Sequence, residues 1–200
     1  ALLDPAYLAM RAQLIRSEIS MGRADAGELP GKQSLGEDTS AELPATTHLS
    51  IVDTEGNAVA MTSSIEAAFG SRIMVHGFLL NNQLTDFAFR PEEGGRPMAN
   101  RIEAGKRPLS SMSPTVIYGK GGHLAALLGS PGGSRIINYV AKTALALLAW
   151  NLSPAEALAL PHFPAAPHGG RRGVRNIHPG PHTVAREYAV SRDDYRCKLP

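Results

Sequence analysis

The sequence predicts a mixed α/β fold of antiparallel strand pairs with flanking helices, and three observations lead to it. Two β-rich runs, residues 47–52 and 58–64, flank a turn at residues 53–57. A second pair, residues 115–118 and 124–128, flanks Lys120-Gly121-Gly122, and its second run passes through a glycine-rich turn into a strongly apolar helical segment. Near the start, Leu3, Tyr7, Met10, Leu14 and Ile15 recur at three- and four-residue intervals, the spacing of one helix face. Period-two and period-3.6 patterns in one chain specify both element types.

The 200 residues are 43% apolar and 19% charged, a globular composition that suits one core. Net charge is +2, and residues 164–200 carry a local +4, so the remainder is slightly acidic. Charge therefore makes no general case for nucleic-acid binding. Cys197 is the single cysteine, which excludes an internal disulfide and a cysteine metal cluster. No apolar run reaches the roughly 18 residues of a membrane span, and no signal peptide opens the chain. The first residue is Ala rather than Met, which points to a fragment or processed product.

In chain order, Asp4-Pro5 offers an N-cap and a first-turn proline for a helix over residues 5–20, whose apolar stripe is read as packing surface. Periodicity disappears over residues 22–45 among Gly, Pro, Ser and acids, the composition of an exposed linker where a chain is cut with least loss of packing. A strand pattern starts directly afterwards. A cut between Ala45 and Thr46 would leave a threonine with its own free amine, uniting a hydroxyl nucleophile with a base. A three-residue turn Thr54-Glu55-Gly56 sets the following hairpin so that Thr46 faces Ser64; a two-residue turn at Gly56-Asn57 would shift that pairing.

Residues 78–80 form a short apolar strand ending in Asn81-Asn82-Gln83-Leu84-Thr85-Asp86. Amides and a carboxylate there suit a polar ligand, and they equally suit turns closed through their own backbone. Residues 90–105 are read as a Gly/Pro-rich loop leading to Ser110 and Ser111, which either donate to a carboxylate beside Lys106 and Arg107 or form an ordinary ordered loop. The run Gly129-Ser130-Pro131-Gly132-Gly133-Ser134 joins a strand to a helix over residues 135–150, aiming backbone N–H groups and a helix dipole at an anion. Its spacing lacks the lysine of a phosphate loop. An oxyanion role and a purely conformational need for glycine are both compatible with it. Ser153, Pro154 and Glu156 mark the start of a short helix to residue 160. The spacing of His162, His168, His178 and His182 matches no zinc signature.

Taken together, TTHLSIVDTEGNAVAMTSSI, GFLLNNQLTDF, GKRPLSSMSP and GSPGGSRII resemble the gamma-glutamyltranspeptidase family of N-terminal-nucleophile hydrolases, in that family's order and spacing. Residues 1–45, with LLDPAYLAMRAQLI, are similar to the end of its large subunit; residues 46–163 are similar to its small-subunit catalytic region; residues 164–200 read as a divergent or disordered tail. The resemblance implies stacked antiparallel sheets flanked by helices, incomplete in this chain. It also implies self-cleavage at Ala45–Thr46, attack of Thr46 on a gamma-glutamyl amide such as glutathione, and release of the acyl group to water or an amine acceptor.

Ser64 stands where the family usually has a threonine bonding the nucleophile, and Gly132 and Gly133 are the implied oxyanion donors. Gln83 and Asp86 are implied to hold the substrate α-amino group, and Ser110 and Ser111 its α-carboxylate. Glu66 replaces an asparagine that contacts the amine. The implied partner is the rest of a large subunit; no cofactor, metal, nucleic acid or membrane span is implied, and the family suggests a periplasmic or extracellular setting. Rival readings are a cephalosporin- or glutaryl-acylase-like amidohydrolase and an unprocessed, inactive fragment.

Overall fold

The computed structural model describes residues 2–19, 21, 27–28, 35–36 and 45–162, together with the backbone of 188–191. Most of the expected linker and tail, with His168, His178, His182 and Cys197, lie outside the described residues.

The first helix, α1 (Pro5–Ala12), starts as expected, with Pro5 in the first turn and the Asp4 carboxylate accepting from the Tyr7 N–H at 2.9 Å. It ends eight residues earlier than the stripe predicts. None of its residues is buried, and Leu3 and Ile15 are 87% and 73% exposed. Helices in proteins are held mainly by packing of an apolar face, and no such packing is present among the described residues.

Strands β1 (Thr46–Val52) and β2 (Ala58–Ser64) form the expected hairpin, in register from Thr46↔Ser64 to Val52↔Ala58. The three-residue turn prevails because Asp53 organises it. Its carboxylate accepts from the N–H groups of Glu55 at 3.0 Å and Asn57 at 2.8 Å and from the Asn57 side chain at 2.7 Å, with Gly56 at φ +90°. These bonds, led by the Asn57 side chain, hold the Asp53 carboxyl below the usual carboxylate range. Alternation puts Thr46, His48, Ser50 and Val52 on the more buried face, opposite Ser64, Thr62, Ala60 and Ala58.

Strands β3 (Met74–Val75) and β4 (Phe78–Leu79) pair, and the chain then makes a 3₁₀ turn over Gln83–Asp86. The region read as a plain loop contains a further small hairpin, β5 (Glu92–Glu93) with β6 (Arg96–Pro97). Gly94 and Gly95 close it at φ +58° and +73°, the pair of positive angles a tight hairpin turn demands and which a Gly/Pro count does not distinguish from a loop.

Strands β7 (Thr115–Tyr118), β8 (Leu124–Gly129) and β9 (Tyr188–Ser191) form one antiparallel sheet in the order β7-β8-β9. After a 3₁₀ turn over Gly133–Arg135 comes α2 (Ile136–Leu148), slightly shorter than predicted at both ends. The last helix, α3 (Pro154–Ala159), carries the capping box of Ser153 and Glu156.

Strand β8 is an apolar run buried from Ala126 to Gly129, which fits a central strand covered on both faces. Ala126 and Leu128 join Ile136 and Val140 of α2 in the core, with Met112, Ile117, Ala144 and Leu147 around them. Gly129, of opposite parity, meets His48 of β1. Hairpin, sheet and helix are thus stacked layers of an incomplete α/β fold. Burial of Leu127, Leu128 and Ile136 contributes about 1.5–3 kcal/mol each, the usual range for such side chains.

Candidate active site

Thr46 opens β1 and Ser64 closes β2, so the hairpin register delivers two hydroxyl side chains to one end of one face. With the Ala45–Thr46 peptide intact, the Ser64 hydroxyl donates to the Ala45 carbonyl at 3.1 Å, while its oxygen accepts from the Glu66 N–H at 2.9 Å. Ser64 therefore contacts the carbonyl of the bond next to Thr46. This arrangement can polarise that carbonyl and support negative charge on its oxygen.

His48, two residues along the same face, is 4% exposed. Its Nδ1 lies 2.8 Å from Thr62 Oγ1 and its Nε2 3.1 Å from Ser50 Oγ, and burial lowers its pKa. The ring sits so close to Gly129 that a Cβ there would run into it. Only glycine lets β8 approach β1 this closely. Contact between His48 and Gly129 sets the C-terminal end of β8 beside the N-terminal end of β1, and the turn of Gly132 and Gly133 follows three residues on. Gly132 has φ +141°, and a Cβ on it would meet Tyr139 Cε2 at 2.8 Å. The turn thus needs glycine for both angle and space.

The 3₁₀ turn gathers Gln83 and Asp86, and the Gln83 side-chain amide donates to the Asp86 carboxylate. Glu66, held at φ +72°, is drawn to the same region by Asn82, whose amide donates to its carboxylate at 2.5 Å and accepts from the Ala67 N–H at 3.0 Å. Burial raises the Asp86 pKa, the Gln83 bond opposes that rise, and the negative charge of Glu66 adds to it. A partly buried carboxyl with a second acidic side chain nearby suits a cation. Ser110 and Ser111 follow Leu109 at the start of the segment entering β7; the Ser110 oxygen accepts from the Met112 N–H at 3.3 Å, and the Ser111 carbonyl accepts from the Ser113 hydroxyl at 3.0 Å. Among the described residues no group of three or more His, Cys, Asp or Glu side chains could hold a metal ion.

Residue-level reading missed His48 and Asn100. His48 shares the alternation of Thr46, so the strand period carried a signal for it. Asn100 lies in an aperiodic stretch that carries none.

Residues 1–171 match the gamma-glutamyltranspeptidase family. The chain belongs to that family. Relatives include the glutathione hydrolase proenzymes of Escherichia coli strain K12, 40% identical over 174 residues, and of Bacillus subtilis strain 168, 38% identical over 172 residues. These alignments cover 82% and 81% of this chain and 28% of each relative, so the chain spans under a third of their length. Among solved structures, a mutant gamma-glutamyltranspeptidase of Helicobacter pylori aligns with TM-score 0.50 and 44% identity, over 58% of this chain and 66% of that one. The Pseudomonas nitroreducens gamma-glutamyltranspeptidase complexed with L-DON aligns with TM-score 0.50 and 40% identity, over 57% and 62%. As a gamma-glutamyltranspeptidase family member, the chain carries its four motif stretches on the hairpin, the 3₁₀ turn, the segment before β7 and the turn after β8. No helix of the described residues is long and apolar enough to cross a membrane.

Proposed function

We propose that the protein hydrolyses or transfers the gamma-glutamyl group of glutathione-like amides, using Thr46 as an N-terminal nucleophile released by self-cleavage after Ala45. The observation that carries this reading is the Ser64 hydroxyl on the Ala45 carbonyl, directly across the hairpin from Thr46. In the cleavage, Thr46 Oγ adds to the Ala45 carbonyl carbon, Ser64 supports the developing oxyanion, the peptide nitrogen leaves as the Thr46 amine, and water hydrolyses the resulting ester. The freed amine, with an ordinary pKa of about 7.7–8.0, then serves as the base for the same hydroxyl.

In turnover, Thr46 Oγ attacks the gamma-carbonyl of the substrate and the amine leaves with a proton. Gly132 and Gly133 N–H groups support the oxyanion, and water or an acceptor amine removes the acyl group. Asp86, Gln83 and Glu66 hold the α-ammonium, and Ser110 and Ser111 the α-carboxylate. The partial burial of Asp86 and the adjacent Glu66 favour a zwitterionic glutamyl head over a glutaryl chain, because a partly desolvated carboxylate facing an apolar group is costly. Residues 1–45 act as the end of a large subunit, residues 46–163 as the catalytic region, and the remaining large subunit is the partner that completes the site.

Intact mass during incubation tests the reading. Cleavage between Ala45 and Thr46 is expected in the parent, abolished in Thr46→Ala and slowed by about 10²–10³-fold in Ser64→Ala, the range for loss of one oxyanion donor. A parent chain that stays intact, or turns over glutaryl but not gamma-glutamyl anilides once cleaved, would sink it.

A further inference from the structure

We propose that Asn100 is a positioning residue that sets the separation between the ammonium-holding and carboxylate-holding halves of the substrate site. Asn100 is 8% exposed and lies between two motif stretches, 14 residues after Asp86 and 9 before Leu109. Its Nδ2 donates to the Asp86 carbonyl at 2.6 Å, and its Oδ1 accepts from the Leu109 N–H at 2.9 Å. One planar amide thus ties the backbone of Asp86 to the backbone immediately before Ser110. A second tie runs from the Ala88 N–H to the Asn100 carbonyl at 2.9 Å.

The segment around Asn100 is itself braced. Arg101 donates to the Met98 carbonyl at 3.0 Å and pairs with Glu103, and Lys106 bonds both the Ala99 carbonyl and Glu103. Phe87, Ala88 and Met98 are buried around it. A rigid amide at this place differs from general packing, since it relates two backbone points by fixed geometry. A substrate carrying both an ammonium and a carboxylate on one carbon needs that relation; a substrate carrying either alone does not. Misplacement of a holding group by about 1 Å costs up to about 10²-fold in kcat/KM.

The inference rests on the gamma-glutamyl reading above, and three anilides separate the two. L-gamma-glutamyl p-nitroanilide has both head groups, glutaryl p-nitroanilide lacks the ammonium, and 4-aminobutyryl p-nitroanilide lacks the carboxylate. Each is measured on the processed full chain by KM and kcat, or by inhibition constant where turnover is slow. Asn100→Ala removes both bonds. Asn100→Asp keeps an acceptor for the Leu109 N–H and loses the donor to Asp86.

Both variants are expected to raise KM for the gamma-glutamyl compound about tenfold or more with kcat little changed. Values for the two single-headed compounds should stay within about twofold, and cleavage at Ala45–Thr46 should proceed as in the parent. Equal losses on all three compounds, no loss on any, or failure of both variants to process would overturn the positioning role while the gamma-glutamyl reading stands. Absence of gamma-glutamyl turnover in the parent would overturn both.

Discussion

Asp86 combines two demands that oppose each other. Its partly buried carboxyl has a raised pKa, chiefly through desolvation, with Glu66 adding repulsion. An acid whose folded pKa lies above its unfolded value contributes stability below the unfolded pKa, about 3.9, and loses it as pH rises through the folded value. Asp86→Asn is therefore expected to raise thermal stability at pH 7, by under about 1 kcal/mol because solvent reaches the group. That gain should vanish below about pH 4. The same variant should lose most gamma-glutamyl turnover, since the ammonium loses its charged partner. Melting curves at pH 4 and pH 7, beside anilide kinetics, check both halves. Asp86 was legible in its motif; the burial and the Glu66 charge that give it this character were not, because Glu66 lies 20 residues earlier in the chain and is held toward the motif by the Asn82 side chain.

At the scale of elements, the hairpin of β1 and β2 works because its inner face presents His48 to Gly129. Burial lowers the His48 pKa, so the folded chain keeps the ring neutral while the unfolded chain takes up a proton below about pH 6.5. Stability should therefore be full above about pH 6.5 and decline as pH falls below it toward the folded pKa. His48→Gln is expected to flatten that decline while costing about 1–3 kcal/mol at pH 7 through lost packing and hydrogen bonds. Urea midpoints from pH 5 to pH 8 measure it. The hairpin register itself was readable from Thr54-Glu55-Gly56, because turn length alone sets which residues face each other. Helix α1 was readable in its start and not in its end: a cap is local, whereas the length of an amphipathic helix depends on what covers its face.

For the molecule as a whole, the layers converge on β8, buried from Ala126 to Gly129 and paired on one side by β7 and on the other by β9. Ending the chain at residue 163 would remove β9, leaving the Ala126–Leu128 backbone paired with β7 alone and Gly129 without its strand partner. Each lost ladder bond costs about 0.5–1.5 kcal/mol. The truncated chain is expected to lose several kcal/mol in urea unfolding, and a bare apolar edge invites self-association, visible by light scattering. By itself the sequence determined the features that depend on neighbours along the chain: the strands and their turn, the helix starts, the glycine turn after β8, and the motifs that mark the family. The tertiary structure alone decided which of these meet: Ser64 on the Ala45 carbonyl, Glu66 beside Asp86, His48 against Gly129, and Asn100 between Asp86 and Leu109. Local patterns follow from backbone angles and periodicity, while these meetings depend on side chains many residues apart finding one another as the layers stack.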